Sequence, residues 1–432
     1  MSFSRISYSR KWTLLIWAFL APVSTSKALA REPDLSSLTL ARAIQLALEH
    51  NPVLRVQEMS VRAAEAGVIS ASKRINPQLR LNMEGYPLFE SGRGAFFNSQ
   101  ELTLRFDQTL ELGNKRGLRT EVARLETSIA EAQLEASRHQ LISEVREAYF
   151  STVRARQELS IARVLLSDME SIVRLNEQRL RVGQISGSEY RRSQLEHLSF
   201  LEKVEISSLG LQNAQATFVS VLGFDDLQAE PGPVDPLDTE WPNPGDREMP
   251  PRLSEVELVD LAFTHRKDLE AAARQRDRLT AETHYQKARS KPNLVFGGGY
   301  KRDGVQDGVV FGVTLPLRLF DSNEGGIARA QAELIRSQHQ VSFLQRVIRL
   351  EVHNALNRVR SAERRKQMFD QKLLPQADEV RRLAREAYRI GGITLTDFLD
   401  VQRSHRTVQE RYLKAQFDYR MSLYGLSQAL GR

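Results

Sequence analysis

The sequence predicts a mainly α protein with a small β part, duplicated along its length. Three observations carry that reading. Two very long segments hold apolar residues at heptad spacing, four short segments alternate strictly between apolar and polar, and a near-constant offset relates one half of the chain to the other. The chain has 432 residues, 41% of them hydrophobic and 27% charged, and no cysteine. The charge content and the short apolar runs exclude a bundle of membrane-spanning helices. Without cysteine there are no disulfides, thiolate zinc sites, thiol nucleophiles or N-terminal lipid-bearing cysteine.

Residues 1–30 read as a secretory signal peptide. Arg5, Arg10 and Lys11 precede the apolar stretch Trp12 to Val23, and Ala28-Leu29-Ala30 places small residues at the cleavage positions. The apolar core is too short to span a bilayer. This leader holds four of the 61 Lys and Arg and none of the 54 Asp and Glu, so the mature chain carries +3. The basic pI is partly an export feature, and nucleic-acid binding loses its main support.

The mature chain divides into a first repeat, residues 31–224, and a second, residues 253–432. Between them, residues 225–252 hold seven of the 15 prolines and read as an extended linker. His50-Asn51-Pro52 is echoed 215 residues later at His265-Arg266-Lys267, and Asn76-Pro77 at Lys291-Pro292. Arg181-Val182-Gly183-Gln184-Ile185 is echoed at Arg389-Ile390-Gly391-Gly392-Ile393, an offset of 208. The offset changes between residues 78 and 110, where the first repeat has the longer loop.

Each repeat begins with a helical stretch, 38–73 and then 253–288. Two strands follow: 78–86 and 100–110 in the first repeat, 293–300 and 309–317 in the second. A very long helix comes next, 116–181 and then 325–389. Leu118, Val122, Leu125, Ile129, Ala132 and Ala136 form its seam in one half, and Ile327, Ala330, Leu334, Ser337, Val341, Leu344 and Ile348 in the other. At 1.5 Å per residue such a helix is a rod of roughly 98 Å, which two shorter helices end to end can flank. Glycine-containing tips, 182–188 and 390–396, lead into the last helices, 188–223 and 395–430.

In the strands, Leu79, Leu81 and Met83 alternate with Arg80, Asn82 and Glu84, and Leu102, Leu104 and Phe106 with Thr103, Arg105 and Asp107. Val309, Phe311, Val313, Leu315 and Leu317 form a third apolar row, and Leu294 to Tyr300 is rich in glycine. One apolar and one polar face is the pattern of a transmembrane β-strand, and also of a half-buried sheet packed on helices. Four strands cannot close a barrel in lipid, whereas two chains give eight strands and three give twelve with a lumen. Both hairpins return into helices, so all helices lie on one side of the membrane, and loops 87–99 and 301–308 face the other. Tyr86, Phe89, Phe96 and Phe97 suit an interfacial girdle there.

These features resemble the TolC-type outer-membrane efflux proteins over the whole mature chain. Within that family, Leu110-Glu111-Leu112-Gly113-Asn114-Lys115-Arg116 is similar to a stretch of the CzcC branch, which serves cobalt, zinc and cadmium efflux. The resemblance implies a duplicated coiled-coil α-barrel with four transmembrane β-strands per chain. As a homotrimer these strands complete a twelve-stranded barrel in outer-membrane lipid, with the helical part in the periplasm. It also implies a periplasmic adaptor and an inner-membrane pump of the resistance-nodulation-division class as partners, no catalytic activity and no cofactor. Residue by residue, Gly183 and Gly391 fall where the family docks its adaptor. Asp397 and Asp400 fall at the acidic constriction of the tunnel mouth, and Tyr388 and Glu189 where neighbouring helices are linked. Ile393 stands where the family has an arginine partner.

Asp397 and Asp400, three residues apart, share a helix face and would form a cation-attracting ring under three-fold symmetry. The alternative is that Asp397 caps the helix starting near Thr394 and Asp400 is solvated. The eight histidines never recur at three- or four-residue spacing, so no local metal-binding pair emerges. Gly297-Gly298-Gly299 lacks the ending of a phosphate loop and reads as a glycine-rich strand. The expected function is a passive exit duct for divalent cations. A drug or polypeptide duct and a soluble periplasmic coiled-coil scaffold are the alternatives.

Overall fold

The computed structural model describes residues 35–85, 100–237, 254–304 and 306–432. The signal peptide, loop 87–99 with the aromatic residue Tyr86 just before it, and the linker beyond residue 237 lie outside these. In chain order the elements are α1 (Leu40–His50), α2 (Pro52–Ser72), β1 (Gln78–Glu84), β2 (Glu101–Leu110), α3 (Lys115–Arg181) and α4 (Gly187–Leu222). The second repeat gives α5 (Glu255–His265), α6 (Lys267–Arg289), β3 (Leu294–Asp303), β4 (Gln306–Thr314), α7 (Glu324–Met368), α8 (Leu374–Ile390) and α9 (Leu395–Ala429).

The first helical stretch of each repeat is broken, against the expectation of one continuous helix. Asn51 ends α1 in an extended conformation and caps α2, its Oδ1 accepting from Val53 N at 2.9 Å, with Pro52 in the first turn. Arg266 makes the same break between α5 and α6. A tertiary contact bears on both breaks. A Cβ on Gly223, just past α4, would sit 2.8 Å from Asn51 Cα, and one on Gly431 would sit 2.9 Å from Arg266 Cα. Each break is therefore where the last helix of a repeat meets the first pair, and only glycine fits the contact.

Along α3, α2 flanks one part of the rod and α4 another, while α6 and α9 pack from the second repeat. Mid-rod, Tyr149 Oη accepts from Val234 N and Asp235 N at 3.1 and 3.0 Å, and Asp235 Oδ2 accepts from Leu40 N at 2.7 Å. Arg156 donates to the Pro231 and Pro233 carbonyls, which fixes the start of the linker against α3. The second long helix is interrupted, a further correction. Residues Phe369–Leu373 form a π-helical turn just ahead of Pro375. Proline lacks the amide that the ladder needs, and the wider turn absorbs the mismatch.

The strands form one antiparallel sheet in the order β1-β2-β3-β4. Leu81 pairs with Leu104, Leu104 with Tyr300, and Tyr300 with Val309, so one face is an apolar lane across all four strands. That face is uncovered in the protomer: Leu79 is 71% exposed and Phe311 85%. β3 and β4 run further toward each other than expected, so that pairing reaches Asp303 and Gln306 within the span where the 301–308 loop was placed. Lys301 pairs with Glu101, and Tyr300 donates to Asp307, which draws these polar ends into the ladder. β4 stops at Thr314 rather than 317, because Pro316 cannot donate to a neighbour.

Where sheet meets helices, the 110–116 motif acts as a joint. Lys115 is buried, and its Nζ donates to the Lys291 carbonyl and Asn293 Oδ1, both at 2.5 Å. Arg119 reaches Glu111 at 2.7 Å and donates to the Ala71 and Lys73 carbonyls at the end of α2.

Candidate functional site

The two tips are built alike. Gly183 and Gly391 adopt left-handed backbones, φ 73° and 79°. Gln184 N donates to Arg179 O and Gly392 N to Ala387 O, each at 2.8 Å, closing the preceding helix. Nothing lies within 4 Å of a Cβ placed on Gly183 or Gly391, so backbone conformation alone requires glycine there. Val182 and Ile390 beside them are exposed.

The next helix opens on a capping box in both tips. Glu189 N donates to Ser186 Oγ at 3.2 Å, and the Glu189 carboxylate accepts from Ser186 N at 3.0 Å. Asp397 N donates to Thr394 Oγ1 at 3.2 Å, and the Thr394 hydroxyl donates to Asp397 Oδ2 at 2.7 Å. Asp397 therefore makes the cap that the alternative reading foresaw, while remaining exposed, and Asp400 is exposed three residues on. Arg403 Nη1 lies 3.4 Å from Asp400, and its Nη2 bonds Glu196 on α4 at 2.7 Å.

Tyr388 is buried and donates to Asn176 Oδ1 on α3 at 2.6 Å. Its ring stacks on Phe398 with centroids 5.0 Å apart, and the Arg179 guanidinium lies over its other side at 5.0 Å. Burial pushes the phenol pKa up, against the opposing effects of Asn176 and Arg179, so the hydroxyl stays a neutral donor. Thus Tyr388 joins α8 to α3, while Glu189 is engaged with its own cap; no bond joins the pair. Ile393 packs against an apolar cluster that includes Leu165, Met169, Phe398 and Leu399.

Besides Tyr388, further links between the hairpins come from residues the sequence did not single out. Arg381 and Arg385 on α8 both bind Asp168 on α3, the latter at 3.0 Å. Arg179 Nη2 donates to the Tyr388 and Arg389 carbonyls at 3.0 and 2.9 Å. Arg192 on α4 reaches Thr396 at 3.0 Å. One signal was available: Asn176 follows Leu165, Met169 and Ile172 at heptad steps, and a polar residue in such a seam needs a specific partner.

Among the described residues, no group of three or more His, Cys, Asp or Glu could hold a metal ion, and no helix is long and apolar enough to cross a membrane. Paired long helical hairpins running into a sheet with an outward apolar face define the fold of the TolC-type channels. The chain belongs to the outer membrane efflux protein family, whose model matches residues 43–223 and 258–432, and it is an efflux channel protein.

Among its relatives, the cobalt-zinc-cadmium resistance protein CzcC of Cupriavidus metallidurans is 25% identical over 87% of this chain and 86% of its own length. The nickel and cobalt resistance protein CnrC of the same organism is 26% identical over 81% and 78%. The pyoverdine export outer membrane protein OpmQ of Pseudomonas putida is 23% identical over 92% and 86%. Crystal structures of CusC, which concern its folding and transmembrane channel formation, superpose with a TM-score of 0.76 at 18% identity, covering 91% of this chain and 92% of that one.

Proposed function

We propose that three copies of this chain form the outer-membrane exit duct of a tripartite efflux pump for divalent metal cations. The observation that carries the duct is the sheet: an apolar face open to its surroundings, with β1 and β4 as edge strands. Lipid would cover that face, and only closure by further copies satisfies the edges inside a bilayer. Twelve strands leave a lumen lined by the polar face. The helices then extend into the periplasm. Gly183 and Gly391, with exposed Val182 and Ile390 beside them, offer the tips to a periplasmic adaptor, and an inner-membrane pump of the resistance-nodulation-division class supplies the energy. Asp397 and Asp400 would ring the tunnel mouth, with Tyr388 tying α8 to α3 beside it and Glu189 capping its own helix.

The cation cargo is supported by the 110–116 motif and by the printed functions of CzcC and CnrC. Native mass of the mature protein extracted in detergent from isolated outer membranes tests assembly. Three copies are expected, and a monomer recovered without detergent would return the strands to an ordinary sheet. Cargo is tested on a deletion strain, where zinc, cobalt and cadmium tolerance is expected to fall. Unchanged tolerance removes the cation assignment and leaves the duct.

A further inference from the structure

The polar face of the sheet carries its charge in layers. Glu84, Glu101 and Asp303 share the layer nearest the turns, Lys301 sits in the next, and Arg80 is paired with Arg105 below that. Asp107, in the charged layer nearest the helices, is only 4% exposed. Arg105 Nε lies 2.6 Å from its Oδ1 and Arg80 Nε 3.2 Å from its Oδ2. Opposite stand Gly297 and Gly312, paired across β3 and β4. A Cβ on Gly297 would overlap Asp107 Oδ1 and Arg105 Nε, and one on Gly312 would sit 2.8 Å from Arg105 Nη2. Neither glycine is in the left-handed region. What they supply is therefore space, a side-chain-free lane in which the Arg105 guanidinium lies against the wall.

We propose that Arg80, Arg105 and Asp107 form a charge filter on the inner wall of the barrel, separate from the helical tips. It presents two guanidinium groups per chain to the lumen. Asp107, held by both, is closed to a passing divalent cation. The cluster is net +1 per chain, so three copies disfavour cations at this level and retain none. The proposal rests on the duct reading, which puts the polar face inward.

The test uses the full mature protein, purified from outer membranes and reconstituted in planar bilayers at about 10 mM salt, where the screening length is roughly 30 Å. Cation-over-anion permeability is read from the reversal potential in a KCl gradient, and block is read after adding zinc chloride. The double variant Arg80→Gln/Arg105→Gln is expected to raise the permeability ratio about threefold or more and to acquire zinc block. Adding Asp107→Asn is expected to abolish that block. Gly297→Ala leaves every charge in place and is expected to shift the ratio in the same direction, by displacing Arg105.

A conducting double variant with wild-type ratio and no zinc block overturns the filter. So does zinc block that survives Asp107→Asn. Arg80→Gln alone, at a side chain 59% exposed, covers failure of the double variant to assemble, and an unchanged ratio there also overturns the proposal. Assembled protein that conducts no ions either as wild type or as Asp168→Asn, which loosens the closed tips, overturns the duct reading instead.

Discussion

Asp168→Asn tests what holds the tips together. The carboxylate on α3 receives two guanidinium groups from α8, and its side chain is 21% exposed. Asparagine keeps the volume and one acceptor but loses the charge. A charge-assisted hydrogen bond contributes about 1.5–3 kcal/mol, and solvent lowers that where the partner is exposed, as Arg385 is at 43%. About 2 kcal/mol per chain is a reasonable figure for the pair of bonds. If opening the tunnel mouth separates α8 from α3, the closed state alone loses this energy. The open-to-closed ratio per chain then rises by about 30-fold. Single-channel recording of the reconstituted protein reads it as higher open probability at unchanged unit conductance, and native mass checks assembly. Should α8 and α3 stay joined during opening, the loss falls on both states equally. An assembled variant with wild-type open probability would thus refute the reasoning.

Asp397→Ala with Asp400→Ala is expected to raise single-channel conductance and weaken cation preference; no change in either would leave Asp397 as a helix cap and Asp400 as a solvated residue. Losing the Asp397 capping box also costs about 1 kcal/mol, so Asp400→Ala alone separates gating from stability. Arg119→Ala leaves Glu111 and two carbonyls at the end of α2 without their partner, and about 2 kcal/mol of stability is expected to go with it. Heating in detergent should show earlier loss of the assembled form, and an unshifted midpoint would count against the joint. Burial pushes the Asp268 carboxyl up, but Arg266 more than offsets this, and its pKa lies below the ordinary 3.8. With the folded value below the unfolded one, the pair stabilises fully above the ordinary carboxylate range and is lost as pH falls through the folded value. Thermal midpoints below about pH 4 should therefore fall more steeply for wild type than for Asp268→Asn; parallel acid limbs would sink this assignment.

The periodic parts of the fold were legible. Heptad positions such as Val122, Ile129 and Ala132 are buried, and the alternating residues of all four strands share one face. What escaped the pattern was set by contacts between distant segments. The Asn51 cap and Pro52 give a local reason for the first break, which the approach of Gly223 reinforces, whereas nothing local marks Arg266. Pro375 was equally visible, but the seam read from the sequence ends at Ile348, well short of the π-helical turn. At the tips, glycines 183 and 391 could be read because one left-handed residue suffices to end a helix. The Asp168 clamp could not, because its partners lie 213 and 217 residues away on another helix.

The glycine-rich third strand shows the same limit from the opposite side. Read alone it is a weak strand; read in register it is the clearance for Arg105. Four carboxylates near the proposed path then share one property. Asp107 is held by two arginines, Asp168 by two more, Asp400 faces Arg403, and Asp397 accepts from Thr394. Conduction requires that a site bind weakly enough to release. At these positions, carboxylates that already have donor partners would let divalent cations pass by competition rather than capture. On the proposed function, selection among cations would then fall to the partner pump. Exchanging the cognate pump while keeping this chain should accordingly change which metals are tolerated, whereas exchanging this chain for a related duct should change only how much.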